Sequence, residues 1–337
     1  MKLVNTAVEL PDLLSGPNNP RSGNISDNNT SQIIIHKEVG QALTRQKKID
    51  QHNFPFTLNA TMGCLFGCRY CYLQGVPFSR HTNFGEQVKV KVWLPKKLDR
   101  ELKEKYRDLP QYLKRVQVNP ATEGYLPQVI NKMQKEYDLD LMGEILQVFK
   151  KHKESGNFWL VHLLTKSNTI LNHLDLFSSM RDQIQVEMTI TTLDEVRRKI
   201  FEGKAPSVAK RLEAIRKLSD AGIFVRVMAM PFIGDRDAAM NLRDETFKYG
   251  ARAFKHKSLN YFDEEALLNG RLVRIRGRRD FAYEDLILKS GEPYQAKGEP
   301  KKVSMPNKKW NAWEIRPMKI ENHGYADINQ IDWTYLR

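Results

Sequence analysis

Three runs of this chain, Trp159–Leu164, Gln185–Ile190 and Phe224–Met230, are short and largely apolar, and helix-length segments separate them. Runs of this length fit strands buried on both faces, and such strands form parallel sheets covered by helices. The pattern extends in both directions. Phe56–Leu58 and Val116–Val118 read as earlier strands, Val88–Trp93 as an exposed one, and Ala253–His256 as the last. Helices are expected from Pro95, over Leu139–His152, Ile170–Met180 and Ser207–Ala221, and over Ala239–Tyr249. The segment at 207–221 carries the clearest signals. Ser207 can cap it, Leu212, Ile215 and Leu218 recur at helical spacing, and Gly222 ends it.

About six βα units result, an α/β fold. No GxGxxG opens the first unit, so a partial (β/α)6 TIM-like barrel fits better than a doubly wound sheet. Residues 54–260 hold this barrel. Residues 1–53, rich in Asn, Ser, Gly and Pro near their start, form an N-terminal extension that is partly flexible. Residues 261–337 form a basic C-terminal segment.

The three cysteines all lie in one stretch, ATMGCLFGCRYCYLQG, as Cys64, Cys68 and Cys71. A secreted disulfide scaffold disperses more cysteines than this, so the cluster points to a reducing cytoplasm and a metal or redox role. Glycines at 63 and 67 permit the tight turns that aim several thiols at one centre. A [4Fe–4S] cube fits three thiolates if one iron takes a ligand from elsewhere. Zinc held with a histidine such as His81, or a disulfide plus a free thiol, fits the same residues.

The CxxxCxxC spacing after a first strand resembles the signature of the radical S-adenosylmethionine (SAM) superfamily. CRYCYLQG resembles its spore photoproduct lyase-like branch. VNPATEGYLP, LLTKSNTIL, VEMTITTLDE and APSVAKRLEAIRKLSDAGIFVRVMAMPFI follow in that branch's order, over roughly residues 54–235. The resemblance implies a radical SAM barrel in which Cys64, Cys68 and Cys71 hold a [4Fe–4S] cluster and SAM chelates the fourth iron. An electron, from a donor such as flavodoxin or ferredoxin, then cleaves SAM to a 5′-deoxyadenosyl radical that abstracts hydrogen from substrate. The resemblance places Tyr70, Thr122, Lys166, Thr189 and Met230 around SAM, with the Lys166 ammonium toward the SAM carboxylate. Tyr72 matches a tyrosine near the radical path. One departure stands out. Spore photoproduct lyases carry a hydrogen-donating cysteine just before the position of Thr122, and this chain has no cysteine outside the loop.

With 54 basic and 40 acidic residues the chain carries a net charge of +14, which favours an anionic partner. In RLVRIRGRR, Arg274, Arg276 and Arg278 recur every second residue and share one face of a strand, while Tyr283–Leu288 can pair back as a hairpin. Nucleic acid is therefore the expected partner, bound largely through phosphate. Two other readings are open: a radical SAM enzyme acting on a peptide or small metabolite, and a zinc-stabilised nucleic-acid-binding protein that is not an enzyme. The sequence shows no apolar run long enough to cross a membrane and no secretory signal, so a cytoplasmic protein is expected.

Overall fold

A computed structural model describes residues 32–37, 39–46, 54–71, 73, 85–232, 236–258 and 312–314. Six parallel strands form its centre: β3 (Phe56–Leu58), β6 (Arg115–Val118), β7 (Leu160–Thr165), β8 (Ile184–Thr189), β9 (Phe224–Phe232) and β10 (Ala253–Ser258). They lie side by side in chain order, as short right-handed crossovers dictate. Antiparallel strands flank them, β2 (Thr44–Arg45) beside β3 and β11 (Ala312–Glu314) beside β10. Among the described residues the sheet stays open between β2 and β11, which is the partial barrel expected.

The connections are helical. In chain order these are α1 (Leu94–Glu104), α2 (Pro127–Tyr137), α3 (Leu141–Glu154), α4 (Leu174–Ser179), α5 (Glu195–Phe201), α6 (Val208–Asp220) and α7 (Arg236–Lys248). A 3-10 turn over Asn168–His173 leads into α4. α6 begins where the Ser207 hydroxyl accepts from the Lys210 N–H, and Gly222 follows it in a left-handed turn. α5 is capped in the same way by Asp194, whose carboxylate accepts from the N–H groups of Val196 and Arg197.

The faces of the strands divide the chemistry. Val161, Leu163, Val186, Met188, Val225 and Val227 are buried and belong to the apolar core. Residues between them in sequence point the other way, as strand geometry requires. That second face carries His162, Gln185, Glu187 and Arg226, all buried. Glu187 Oε1 lies 2.7 Å from Arg226 Nε, and Glu187 Oε2 lies 2.9 Å from His162 Nε2. The interior of the barrel is thus partly a paired polar network rather than a second oil-like layer.

One sequence expectation changes. The strand at Val88–Trp93 is β5, runs over Gln87–Val90, and is not exposed on both faces. Val88 and Val90 are fully buried in the core, and the strand is flanked by β1 (Gln32–Ile35) in parallel and β4 (Thr61–Met62) antiparallel on its other side. Trp93 lies beyond the strand and is half exposed. Among the described residues no helix is long and apolar enough to cross a membrane.

Candidate functional site

Parallel strands deliver their carboxyl ends to one edge of the sheet, and α/β proteins build sites there. Thr122 follows β6, Lys166 follows β7, Thr189 ends β8 and Met230 lies near the end of β9. The cysteine loop leaves β3 by way of β4 and meets the same edge.

Local backbone shape makes that loop possible. Gly63 and Gly67 have φ of +85° and +59°, in the left-handed region. A Cβ on Gly63 would lie 2.6 Å from the Gln87 carbonyl oxygen, and one on Gly67 would lie 3.2 Å from the Gly85 Cα. The Thr122 hydroxyl donates to the Gly63 carbonyl at 2.5 Å and also hydrogen-bonds the Thr61 hydroxyl. The segment after β6 is fixed by asparagines. Asn119 Oδ1 accepts from the Ala60 N–H at 3.1 Å, and Asn59 Oδ1 accepts from the Ala121 N–H at 3.1 Å.

The loop brings three free thiols together. Cys68 is buried, and Cys64 and Cys71 are half-buried. Burial pushes the Cys68 thiol up to about 12, although Lys166 opposes the shift. Burial likewise raises Cys64, with the Cys68 and Glu123 charges adding to it, and raises Cys71. Bare thiols in this setting stay protonated at neutral pH, so thiolates need a bound cation to exist here. Among the described residues no three His, Cys, Asp or Glu side chains converge tightly enough for a single metal ion. A multi-iron cube presents separate irons to its ligands, and three thiols spread along one looped segment fit that donor set.

Charge of the other sign is close by. Lys166 Nζ sits 5.7 Å from the centre of the Tyr70 ring. Burial lowers the Lys166 pKa, but Cys68, Glu202 and Cys71 outweigh it, and the net shift is upward. Lys166 is therefore a cation facing the loop, suited to a carboxylate.

Three buried groups at this site carry no prediction from the sequence. Glu123 Oε1 accepts from the Tyr125 N–H at 2.9 Å and the Thr165 hydroxyl at 2.8 Å. Its burial raises its pKa against those hydrogen bonds. Glu202 and Arg211 form a fully buried ion pair at 2.7 Å. Arg211 had a legible signal: it falls on the stripe of Val208, Leu212, Ile215 and Leu218, where a charge needs a buried partner.

The structure thus gathers Tyr70, Thr122, Lys166 and Thr189 at the edge where the cysteine loop lies. Tyr72, His81, Arg274, Arg276, Arg278 and the hairpin expected near them lie outside the described residues.

Comparison with known proteins agrees with this fold. The family model of the radical SAM superfamily matches residues 58–244. An uncharacterised protein of Acidianus two-tailed virus, ORF301, is 24% identical over 199 residues, which are 56% of this chain and 60% of that protein. Uncharacterised protein MJ0683 of Methanocaldococcus jannaschii is 27% identical over 182 residues, 53% of this chain and 61% of that one. The match therefore spans about three fifths of each relative. Among solved structures, a spore photoproduct lyase variant with dinucleoside spore photoproduct superposes with a TM-score of 0.50 at 15% identity, over 71% of this chain and 65% of that one. At that identity the likeness concerns the fold.

Proposed function

Because this chain belongs to the radical SAM superfamily, whose model spans more than half of it, we propose that it is a radical SAM enzyme acting on nucleic acid. The observation that carries the enzyme reading is the three-thiol loop set against the carboxyl ends of six parallel strands. Cys64, Cys68 and Cys71 hold a [4Fe–4S] cluster, and the iron without a thiolate is left for SAM. When bound, the pair supplies one-electron cleavage of SAM to a 5′-deoxyadenosyl radical that abstracts hydrogen from substrate.

The chain's own groups supply position and shielding. Lys166 pairs with the SAM carboxylate, which its raised pKa keeps within reach of a full positive charge. Tyr70 packs beside Lys166 and excludes water from the loop. Thr122 and Thr189 offer polar groups from the ends of β6 and β8, on either side of β7, and the backbone at Met230 faces the adenine. Tyr72 follows Cys71 in sequence and is the hydrogen-relay candidate that the family resemblance supports.

The substrate reading rests on charge. A net +14, with Arg274, Arg276 and Arg278 recurring at every second residue, suits a polyphosphate. Lesion reversal by a thiol donor is not proposed, because every cysteine belongs to the loop. That same lack favours a second reading, a peptide or small-metabolite substrate. The test is a binding and turnover series with the reconstituted protein, using DNA with and without ultraviolet lesions. On the nucleic-acid reading, affinity falls about tenfold or more between 50 and 200 mM salt and DNA alters SAM turnover. Flat affinity across that range, with turnover stimulated instead by a peptide or metabolite fraction, selects the second reading.

A further inference from the structure

Glu202 follows the last residue of α5 and is fully buried, where an ionised carboxylate is costly unless it is paired. Groups from distant parts of the chain converge on it. The Tyr70 hydroxyl, from the cysteine loop, donates to Oε1. The Thr191 hydroxyl donates to the same oxygen at 3.1 Å. Arg211 Nη2, from α6, lies 2.7 Å from Oε2. Burial pushes the Glu202 carboxyl up, but Arg211, Lys166 and the Tyr70 hydrogen bond outweigh it and hold it below its ordinary value.

Two further bonds give this cluster a direction. The Arg69 N–H, beside Tyr70, donates to the Phe201 carbonyl at 2.8 Å, so neighbouring residues of the loop both attach to the end of α5. Arg211 Nη1 donates to the Thr189 carbonyl at 2.9 Å, at the end of β8. A chain of contacts thus runs from the segment between Cys68 and Cys71, through one carboxylate, to a strand end of the barrel. A buried carboxylate needs donors beyond its ion-pair partner, and here one of them comes from the cysteine loop, which ties that loop to α6.

We propose that Glu202 is a positioning residue: its carboxylate latches the cysteine loop, through Tyr70, to the carboxyl end of β8, through Arg211. The latch sets where the thiols stand relative to Lys166 and Thr189. Glu202 also balances the Arg211 charge close to the loop, so neutralising the carboxylate leaves Arg211 uncompensated and favours adding an electron to whatever the thiols hold. This inference rests on the reading of the loop as a cluster-binding loop.

The experiment uses the full chain, reconstituted anaerobically with iron and sulfide, as wild type, Tyr70→Phe and Glu202→Gln. Three quantities are read: iron release to a ferrous chelator, the electron paramagnetic resonance spectrum of the reduced protein with and without SAM, and the midpoint potential. Tyr70→Phe removes one hydrogen bond and keeps the ion pair, so the apo protein stays folded with a modestly lower urea midpoint. Its iron release is about fivefold faster, the factor for one lost hydrogen bond, and its spectrum with SAM is altered. Glu202→Gln releases iron faster still and shifts the midpoint potential to less negative values. A Tyr70→Phe protein with wild-type iron release and an unchanged spectrum overturns the latch, whether or not Glu202→Gln folds. A Glu202→Gln protein that is less stable but has the wild-type spectrum and potential also overturns it, since that is the mark of a merely structural pair. If wild type itself assembles no cluster, the reading of the loop falls and the latch falls with it.

Discussion

Glu123 Oε2 accepts a 2.8 Å hydrogen bond from the backbone N–H of Lys166. With its two other bonds, to the Tyr125 N–H and the Thr165 hydroxyl, this carboxylate joins the segment after β6 to the end of β7. It fixes the backbone from which Lys166 reaches the cysteine loop. Glu123→Ala leaves three donors, two of them buried, without that acceptor and is expected to cost about 3 kcal/mol, read as a lower urea midpoint of the apo protein. Glu123→Gln retains an amide oxygen and is expected to cost about 1 kcal/mol.

Lys166 is the group placed to bind a carboxylate at this edge. Lys166→Met keeps the length of the side chain and removes its charge. SAM affinity of the reconstituted protein is expected to fall about 10- to 100-fold, the range for one charge-assisted hydrogen bond. Iron content is expected to stay at the wild-type level. Equilibrium dialysis with SAM beside an iron assay checks both.

Gly63→Ala tests whether the loop's backbone is required. The left-handed φ alone costs about 1–3 kcal/mol for a residue with a Cβ. The new methyl would also meet the Gln87 carbonyl oxygen at 2.6 Å, a backbone atom held in β5. The variant is expected to lose that much stability in a urea titration of the apo protein. Reconstituted iron is expected to fall with it. A Gly222→Ala variant meets nothing within 4 Å and reports the φ cost alone.

The buried network inside the barrel gives a pH prediction. Burial, helped by Arg226, lowers the His162 pKa from its ordinary 6.5, against the attraction of Glu187. His162 Nε2 lies 2.9 Å from Arg226 Nη2, which can only donate, and 2.9 Å from Glu187 Oε2, which can only accept, so the ring is held between a cation and an anion. Below pH 6.5 the unfolded chain therefore binds a proton that the folded one does not. Stability from this group is complete above pH 6.5 and is lost as pH falls through the folded pKa. The urea midpoint of wild type is expected to drop between pH 7 and pH 5, and His162→Gln to drop less over the same range.

Much of this fold is legible in local sequence. Trp159–Leu164 is apolar enough to be a central strand, and β7 lies there with a shift of one residue. Ser207 and Gly222 bracket α6 because capping is a local event. α5 is seven residues long and too short to show a periodic stripe, so it is invisible until Asp194 is seen capping it. The burial of Val88 and Val90 is equally hidden, since the strand that pairs with β5, at Gln32–Ile35, lies more than fifty residues earlier. The site divides in the same way. The cysteines, Thr122 and Lys166 sit in recognisable short motifs. Glu202 does not, and Glu123, though inside VNPATEGYLP, is not singled out there, because what marks both is the donors they gather from elsewhere in the chain. Arg211 lies between these cases: a lone charge on an apolar stripe announces a buried partner without saying which one.

The central claim is that the three thiols hold a cluster that cleaves SAM. The direct measurement is release of 5′-deoxyadenosine from the anaerobically reconstituted protein after reduction in the presence of SAM, for wild type and for Cys68→Ala. The account predicts a brown wild type that releases 5′-deoxyadenosine and a Cys68→Ala protein that neither holds the cluster nor releases the product. A colourless wild type containing one zinc, or a Cys68→Ala protein releasing 5′-deoxyadenosine at the wild-type rate, would contradict it.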